Sequence, residues 1–177
     1  CYTYDAIGNL VEVRPATFAS ASYTPVTNAE RVAYTYNSKN LLSSISTEST
    51  TYNISYDVFG NTSSISAGTN TLANYTYNSK NGKLKKITYG NGFVVDYLYN
   101  SLELLSEICY TNNGETYTAY EYEYTASGQV YKFTDNVNGR STVYHYDSND
   151  RLIGFAEYEN DVWFHDYYSQ YTYNENG

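Results

Sequence analysis

A four-residue phrase built around two tyrosines returns eight times along this 177-residue chain. In most copies it reads Tyr, any residue, Tyr, then Asp or Asn, as at residues 2–5 and 75–78. Successive copies begin 32, 20, 21, 22, 25, 22 and 27 residues apart. Spacing of this kind is typical of stacked repeats and not of a single globular core. The sequence therefore predicts a repeat array.

The second tyrosine of each copy defines a set that we call the Tyr column. The column consists of Tyr4, Tyr36, Tyr56, Tyr77, Tyr99, Tyr124, Tyr146 and Tyr173. Because cross-strand aromatic pairs stabilise sheets, we expect these rings to lie on one face, mostly buried, in ladders of stacked rings. The last of them, Tyr173, is expected to face an unpaired edge.

The residue four positions after each column tyrosine defines a second set, the turn column. It consists of Gly8, Asn40, Gly60, Asn81, Gly128, Asp150 and Gly177, with Glu103 as the one exception to the residue types that tolerate positive φ. Asp or Asn directly after the second Tyr can bond the backbone two residues on. Each copy is thus predicted to form a type I turn closed by a left-handed residue, which is a common hairpin loop.

An apolar pair spaced by three residues follows most of these turns, as in Leu105/Ile108 and Leu152/Phe155. Side chains alternate along a strand with a period of two, so this spacing requires a β-bulge or a corner at the first apolar residue. Further turn signals, such as residues 90–92 and 112–114, separate these pairs from the next tyrosines. We expect an all-β antiparallel hairpin meander of at least about a dozen strands.

Several copies resemble a known repeat motif. Residues 4–10 read Tyr-Asp-Ala-Ile-Gly-Asn-Leu and residues 56–61 read Tyr-Asp-Val-Phe-Gly-Asn. In a motif of Tyr-Asp, two variable residues, Gly, Asn or Arg, and Leu, residues 146–152 depart only at Asp150. These segments resemble the YD-repeat, or RHS-repeat, family of bacterial Rhs and wall-associated proteins, insecticidal toxin complex components and teneurins. The resemblance implies a long β-sheet that spirals into a hollow shell, which in the toxins encloses a C-terminal toxin domain.

The expected domain organisation is a single array over residues 1–177, with about seven full repeats, a truncated eighth and an insertion at residues 15–30. We expect this array to be a fragment of a larger secreted or cell-surface protein. Its expected partners are neighbouring repeats and an enclosed C-terminal domain of the parent chain. The unpaired edge of the last repeat could also recruit a second copy edge to edge.

Charge and composition exclude several function classes. A net charge of −9 and a pI near 4.5 argue against nucleic-acid binding, which needs basic surfaces. No apolar stretch has membrane-spanning length. His145 and His165 have no second His or Cys at ligand spacing, and no nucleophile and base pair is evident. We therefore predict no catalytic residues, no metal and no cofactor, and we expect a small buried thiol at Cys109 more than a disulfide with Cys1.

Two function classes remain open from the sequence. The first is a non-enzymatic wall segment that encloses or presents a toxin-like domain. The second is an extracellular carbohydrate-binding or adhesion module, because exposed aromatic rings can stack on sugars. The candidate stacking residues for the second class are Trp163, Tyr167 and Tyr168.

Overall fold

The computed structural model describes residues 1–19, 21–26, 30–160 and 162–174, with the side chains of residues 19 and 164–168 left out. Across these residues the chain consists of strands and turns, without a helix. A helix capable of crossing a membrane is accordingly absent from the described part of the chain. The predicted all-β antiparallel meander is confirmed.

Seventeen strands run through the described residues. They are β1 Tyr2–Tyr4, β2 Leu10–Val13, β3 Ala16–Ala19, β4 Ser22–Pro25, β5 Val32–Tyr36, β6 Leu42–Ser46, β7 Thr51–Tyr56, β8 Thr62–Ala67, β9 Asn70–Tyr77, β10 Leu84–Tyr89, β11 Val94–Tyr99, β12 Leu105–Asn112, β13 Glu115–Tyr124, β14 Val130–Asp135, β15 Arg140–Tyr146, β16 Leu152–Glu159 and β17 Val162–Gln170.

The chain divides into two compact units. Unit 1 holds Cys1–Thr76 and Ile87–Asn91, and unit 2 holds Tyr77–Lys86 and the chain from Gly92 onward. In unit 1 the sheet order is β1-β2-β5-β6-β7-β8-β9, and in unit 2 the strands from β11 to β17 pair in chain order. All described pairings are antiparallel, as a meander of hairpins requires.

The insertion in the first repeat forms a small hairpin of its own. Strands β3 and β4 pair with each other in a separate two-stranded sheet, with Phe18 opposite Tyr23. The two rings lie 4.8 Å apart and both are exposed. This hairpin lets β2 pair with β5 in the main sheet of unit 1, so the insertion lengthens the repeat without breaking the strand order.

A β-bulge occurs at the same place in repeat after repeat. In β12, Leu105 lies opposite Tyr99 and Glu107 opposite Leu98, so Ser106 is an extra residue. The equivalent extra residues are Val11, Ser43, Ser63, Ser106, Tyr131 and Ile153. The apolar spacing of three left a bulge or a corner open, and the register shows a bulge.

Because of the bulge, residues two apart on one strand lie opposite residues three apart on its partner. In the hairpin of β11 and β12, Tyr97 lies opposite Ile108 and Tyr99 opposite Leu105. Two tyrosines spaced by two residues therefore meet an apolar pair spaced by three. Directly opposite residues share a sheet face, so each hairpin carries aromatic and aliphatic side chains on one face, which we call the tyrosine face.

The other face of the sheet is mainly polar. Glu123 lies opposite Lys132, and Lys86 forms an ion pair of 3.1 Å with Asp96. Apart from the hairpin of β3 and β4, the described elements all belong to the sheets of the two units. Side chains are therefore covered mainly by neighbours on their own face, and full burial is confined to small or branched residues such as Ala73, Val95 and Ala119.

Candidate functional site

The Tyr column links successive repeats through its hydroxyl groups. Tyr124 ends β13, and its Oη donates a hydrogen bond of 2.6 Å to the main-chain carbonyl of Leu105, where β12 begins. We call this contact a tyrosine clasp. The described clasps are Tyr36 to Leu10 at 2.9 Å, Tyr56 to Leu42 at 2.7 Å, Tyr99 to Leu84 at 2.8 Å, Tyr124 to Leu105 at 2.6 Å, Tyr146 to Val130 at 2.8 Å and Tyr173 to Leu152 at 2.6 Å.

Each clasp forms just beyond the end of the backbone pairing between two neighbouring strands. The paired register of β12 with β13 ends at Glu107 opposite Glu121, and Leu105 lies beyond this end. A main-chain carbonyl outside the ladder needs another donor, and the tyrosine hydroxyl of the next repeat supplies it. The contact is worth about 1 kcal/mol net, as for other intramolecular hydrogen bonds.

The clasping hydroxyls of Tyr99, Tyr124 and Tyr146 remain protonated donors at neutral pH. Burial raises the pKa of Tyr99, and burial with the neighbouring Tyr122 raises that of Tyr124. The pKa of Tyr146 is raised by burial and by Tyr144. Since an ordinary tyrosine already has a pKa of about 10, these clasps do not titrate in the physiological range.

Neighbouring side chains partly cover the internal members of the Tyr column. From Tyr36 to Tyr146 the column is half-buried, whereas Tyr4, which was expected to be mostly buried, is 58% exposed, and Tyr173 is 40% exposed. The described ring pairs of unit 2 join other aromatics of the tyrosine face, among them Tyr110 with Tyr120 at 6.0 Å and Tyr120 with Phe133 at 5.9 Å. The ladder of stacked column rings therefore stays a prediction, and the clasp is a contact that the structure describes for the column instead.

The residue after each column tyrosine begins a turn that we call the YD turn. Asp57 Oδ1 accepts hydrogen bonds of 2.9 Å from the backbone N–H groups of Phe59 and Asn61. Asn37 and Asn100 make the same two contacts in their own turns. Thr125, with a single hydroxyl, accepts one bond from the N–H of Gln129. Asp and Asn thus satisfy two backbone donors in the loop, as expected for this turn type.

The turn column lies at the left-handed end of these turns. Gly8, Gly60 and Gly128 have φ between 88° and 92°, and Asn40, Glu103 and Asp150 have φ of 61° or 62°. In the fourth turn the positive φ falls on Gly82 and not on Asn81, because this loop is one residue longer and Asn78 N–H reaches the carbonyl of Lys83. Gly177 lies outside the described residues.

The aspartates of the YD turns are held in their charged form. The backbone N–H of Asn9 is the largest influence lowering the pKa of Asp5, and that of Arg151 does the same for Asp147. For Asp57, desolvation raises the pKa, but the combined hydrogen bonds from Asn61, Phe59 and Gly60 outweigh it and the net direction is downward.

The other candidate groups that the structure describes lie apart from one another. Within the described residues there is no group of three or more His, Cys, Asp or Glu side chains that could hold a metal ion. His145 is exposed and lies opposite Gly154. Cys1 and Cys109 are free thiols, and Cys109 is half-buried and not fully buried as expected, with its Sγ 3.7 Å from Thr118 Oγ1.

The candidate sugar-stacking residues lie in the last strand. Trp163 is 44% exposed and lies opposite Tyr158. The side chains of Tyr167 and Tyr168 fall outside the described part of the chain. The structure thus describes one exposed ring of the three.

Sequence reasoning missed the tyrosine clasps, although one signal pointed to them. All eight column positions are Tyr, and none of the six Phe residues occupies the column. Tyr and Phe fill similar volumes, so a strict preference for Tyr indicates that the hydroxyl is used.

Known proteins share this fold and part of this sequence. No family model matches the chain. The tRNA3(Ser)-specific nuclease WapA of Bacillus spizizenii is 27% identical over 188 residues, which cover 92% of this chain and 7% of the nuclease. The TcdB2-TccC3-Cdc42 crystal structure aligns with 87% of this chain at a TM-score of 0.66 and 15% identity. The Tc holotoxin pore of Photorhabdus luminescens aligns with 84% at 0.63 and 15% identity.

These similarities show the fold of the chain. It shares the fold of the TcdB2-TccC3 structures, and its repeated Tyr-Asp motif resembles that of the YD-repeat, or RHS-repeat, family. The chain spans 7% of the nuclease and 8% to 9% of the solved chains that it resembles. Within the described residues, the YD turns and the six tyrosine clasps are the features that recur along the array.

Proposed function

We propose that this chain is a non-enzymatic structural segment of a large secreted or cell-surface YD-repeat protein. In this proposal the repeats form part of a β-shell that encloses or presents a C-terminal, toxin-like domain. The observation that carries the proposal is the series of tyrosine clasps, each of which ties a repeat to the one before it. Such regular contacts suit a wall, in which each repeat depends mainly on its neighbours.

The relatives support a wall segment more than a catalytic one. One of them is described as a holotoxin pore and another as a tRNA nuclease, yet this chain corresponds to less than a tenth of each. The nuclease activity of the relative is therefore expected to reside outside the matched region. A net charge of −9 also opposes binding of a polyanion such as tRNA.

Protease protection in the complete parent protein tests the enclosure. We expect peptides from the C-terminal domain to be digested slowly in the wild type. Digestion should be faster in a double variant that combines Tyr99→Ala with Tyr124→Ala and so removes two clasps. Tyr131→Ala serves as the control, because Tyr131 is 45% exposed and lies at a bulge. Equal digestion of the C-terminal domain in all three proteins, at the rate of an isolated domain, would contradict enclosure.

A direct assay tests the non-enzymatic part of the proposal. The 177-residue chain is incubated with tRNA at low salt, where electrostatic binding is strongest, and the products are separated on a denaturing gel. We expect intact tRNA and no retarded complex. Cleavage that survives repurification of the chain would overturn the assignment.

A carbohydrate-binding or adhesion module is the second candidate, and the exposure of Trp163 is the observation in its favour. Calorimetry with cell-wall glycan fragments distinguishes the two. Binding that disappears in Trp163→Ala but persists in Tyr131→Ala would favour the module, and no heat at millimolar glycan would favour the wall.

A further inference from the structure

The YD turns of neighbouring repeats touch through two positions. We define the turn position as the positive-φ residue that closes a YD turn. The reach position is the next residue, whose carbonyl accepts the first N–H of that turn, as Leu41 does for Asn37. Five reach side chains of the described residues extend to the turn position of the following repeat. These pairs are Asn9 with Asn40, Leu41 with Gly60, Lys83 with Glu103, Leu104 with Gly128, and Gln129 with Asp150.

Polar reach residues meet polar turn residues. Asn9 Nδ2 donates to Asn40 Oδ1 at 2.5 Å, and a second contact runs from Asn40 Nδ2 to Asn9 Oδ1 at 3.4 Å. Lys83 Nζ lies 3.4 Å from Glu103 Oε2 and also contacts the Glu103 carbonyl. Gln129 Nε2 donates to the carbonyl of Asp150. In each case the polar groups of the two turns satisfy each other.

Leucine reach residues meet glycine. Leu41 Cδ1 lies 3.6 Å from the point where a Cβ of Gly60 would stand, and Leu104 Cδ1 lies 3.8 Å from the equivalent point of Gly128. A Cβ alone would fit at these distances. The amide or carboxylate of a longer turn side chain, however, would extend beside an apolar methyl group and find no hydrogen-bond partner there. Glycine avoids this cost and leaves room for the leucine.

We propose that the repeats joined by these five pairs recognise each other at this turn edge through the reach and turn positions, in which polar residues match polar residues and leucine matches glycine. The turn edge is thus an interaction surface, and the partner it fits is a YD repeat that carries the matching residue. This selects which repeats can be neighbours in an array, and it holds whatever the array encloses.

A double-mutant cycle on Leu41 and Gly60 tests the matching. The variants are Leu41→Asn, Gly60→Asn and the two combined, and the combination recreates the natural pair of Asn9 and Asn40. Asparagine tolerates the left-handed region, and Asn40 adopts it with φ of 61°. The unfolding equilibrium constant is measured by urea denaturation of the whole chain. The product of the two single-variant effects predicts an unfolding equilibrium constant for the double variant. We expect the measured constant to favour the folded state about two- to fivefold more than this prediction.

A non-matched pair provides the control. Leu41→Asn combined with Gly128→Asn changes a reach and a turn position that belong to different pairs, so their effects should multiply without coupling. Hydrogen exchange of the Gly60 amide, which donates to the Asp57 carbonyl, locates the effect at the matched turn. We expect faster exchange there in both single variants and recovery in the double variant.

A charge exchange in unit 2 gives an independent cycle if a leucine variant does not fold. Lys83→Glu and Glu103→Lys each place like charges together, and the combined variant restores an opposite pair. We expect the restoration to weaken as salt is added. Matching is overturned if both cycles are additive within error, or if the non-matched control couples as strongly as the matched pair.

Discussion

The two ends of each hairpin differ in how strictly they repeat. At the YD turn, six described copies share the same two backbone hydrogen bonds, as when Asp57 N–H reaches the Asn61 carbonyl and Gly60 N–H reaches the Asp57 carbonyl, and the turn of Asn78 makes the corresponding two bonds across one extra residue. At the opposite end the copies differ. Thr47 closes one turn by bonding Thr50, whereas Asn113 and Gly114 form a two-residue turn in which both have positive φ.

This difference follows from the number of contacts that each turn has to position. The YD turn fixes a column tyrosine, the bulge beyond it and the reach residue, so all three depend on the loop length. The opposite turns mainly connect strands, and extra residues there leave the clasps in place. Variation of the spacing between repeats is therefore concentrated at the opposite ends, and the YD ends form the constant side of the array.

Removal of a column ring should destabilise the YD ends of the hairpins more than an insertion or a hydroxyl deletion. We expect Tyr124→Ala to lower the free energy of unfolding by about 2 to 4 kcal/mol. The loss is smaller than for a fully buried aromatic residue because Tyr124 is half-buried. It also leaves the Leu105 carbonyl without its clasp. Urea denaturation measures the loss. Tyr131→Ala, at an exposed bulge position, should cost less than about 1 kcal/mol, and equal losses would remove the distinction.

Two-residue insertions compare both ends of one strand. Strand β6 is preceded by the YD turn of Asn37 and followed by the turn of Thr47 to Thr50. Insertion of Gly-Ser after Ser38 separates Asn37 from the N–H groups that it bonds, and we expect a loss of about 2 kcal/mol. Insertion of the same residues after Glu48 adds mainly loop entropy and should cost below about 1 kcal/mol. Thermal denaturation ranks the two, and the reverse order would contradict the comparison.

A hydroxyl deletion isolates the clasp from the ring. Tyr124→Phe keeps the packing and removes the bond to the Leu105 carbonyl, so we expect a loss of about 1 kcal/mol. Tyr122→Phe is the matched control two residues away. Its ring packs on Phe133 at 5.1 Å, and we expect a change within about 0.5 kcal/mol. If both changes cost the same, the hydroxyl of the column has no special role.

The sequence was sufficient for features set by nearby residues. The positive φ at the turn column follows from glycine and asparagine in a short loop, and the apolar spacing of three requires either a bulge or a corner in the strand that follows. Both depend on contacts within one hairpin. The one misplaced turn residue, Asn81, arises from a single extra residue in its loop, which the column alignment did not reveal.

Contacts between repeats could not be predicted in this way. The clasp of Tyr36 joins residues 26 positions apart, and its geometry depends on where the ladder of the preceding strand ends. The expected burial is wrong at Tyr4, which lies in the first strand and is 58% exposed. The hairpin of β3 and β4 carried no repeat signal and so had no sequence pattern to identify it.

The smallest expected effect concerns acid sensitivity within the constant side. Asp5, Asp57 and Asp147 have pKa values lowered by the fold, with backbone bonds from Asn9 and Arg151 the largest causes for the first and last. A carboxyl with a lowered folded pKa adds stability above its unfolded pKa of about 3.9, and this stability is lost as pH falls through the folded value. The turns that begin with Asn have no such dependence.

Exchanging Asp and Asn between turns should therefore move the acid sensitivity with the carboxylate. Asp57→Asn retains an acceptor for the N–H groups of Phe59 and Asn61, so we expect little change at neutral pH and a shallower fall in melting temperature between pH 5 and about pH 3. Asn100→Asp should steepen the same fall, because the new carboxylate would accept the N–H groups of Leu102 and Leu104. Melting curves across this pH range measure both slopes. Parallel curves for the three proteins would show that these turn carboxylates do not set the acid stability of the array, and that Asp and Asn are equivalent at the constant end.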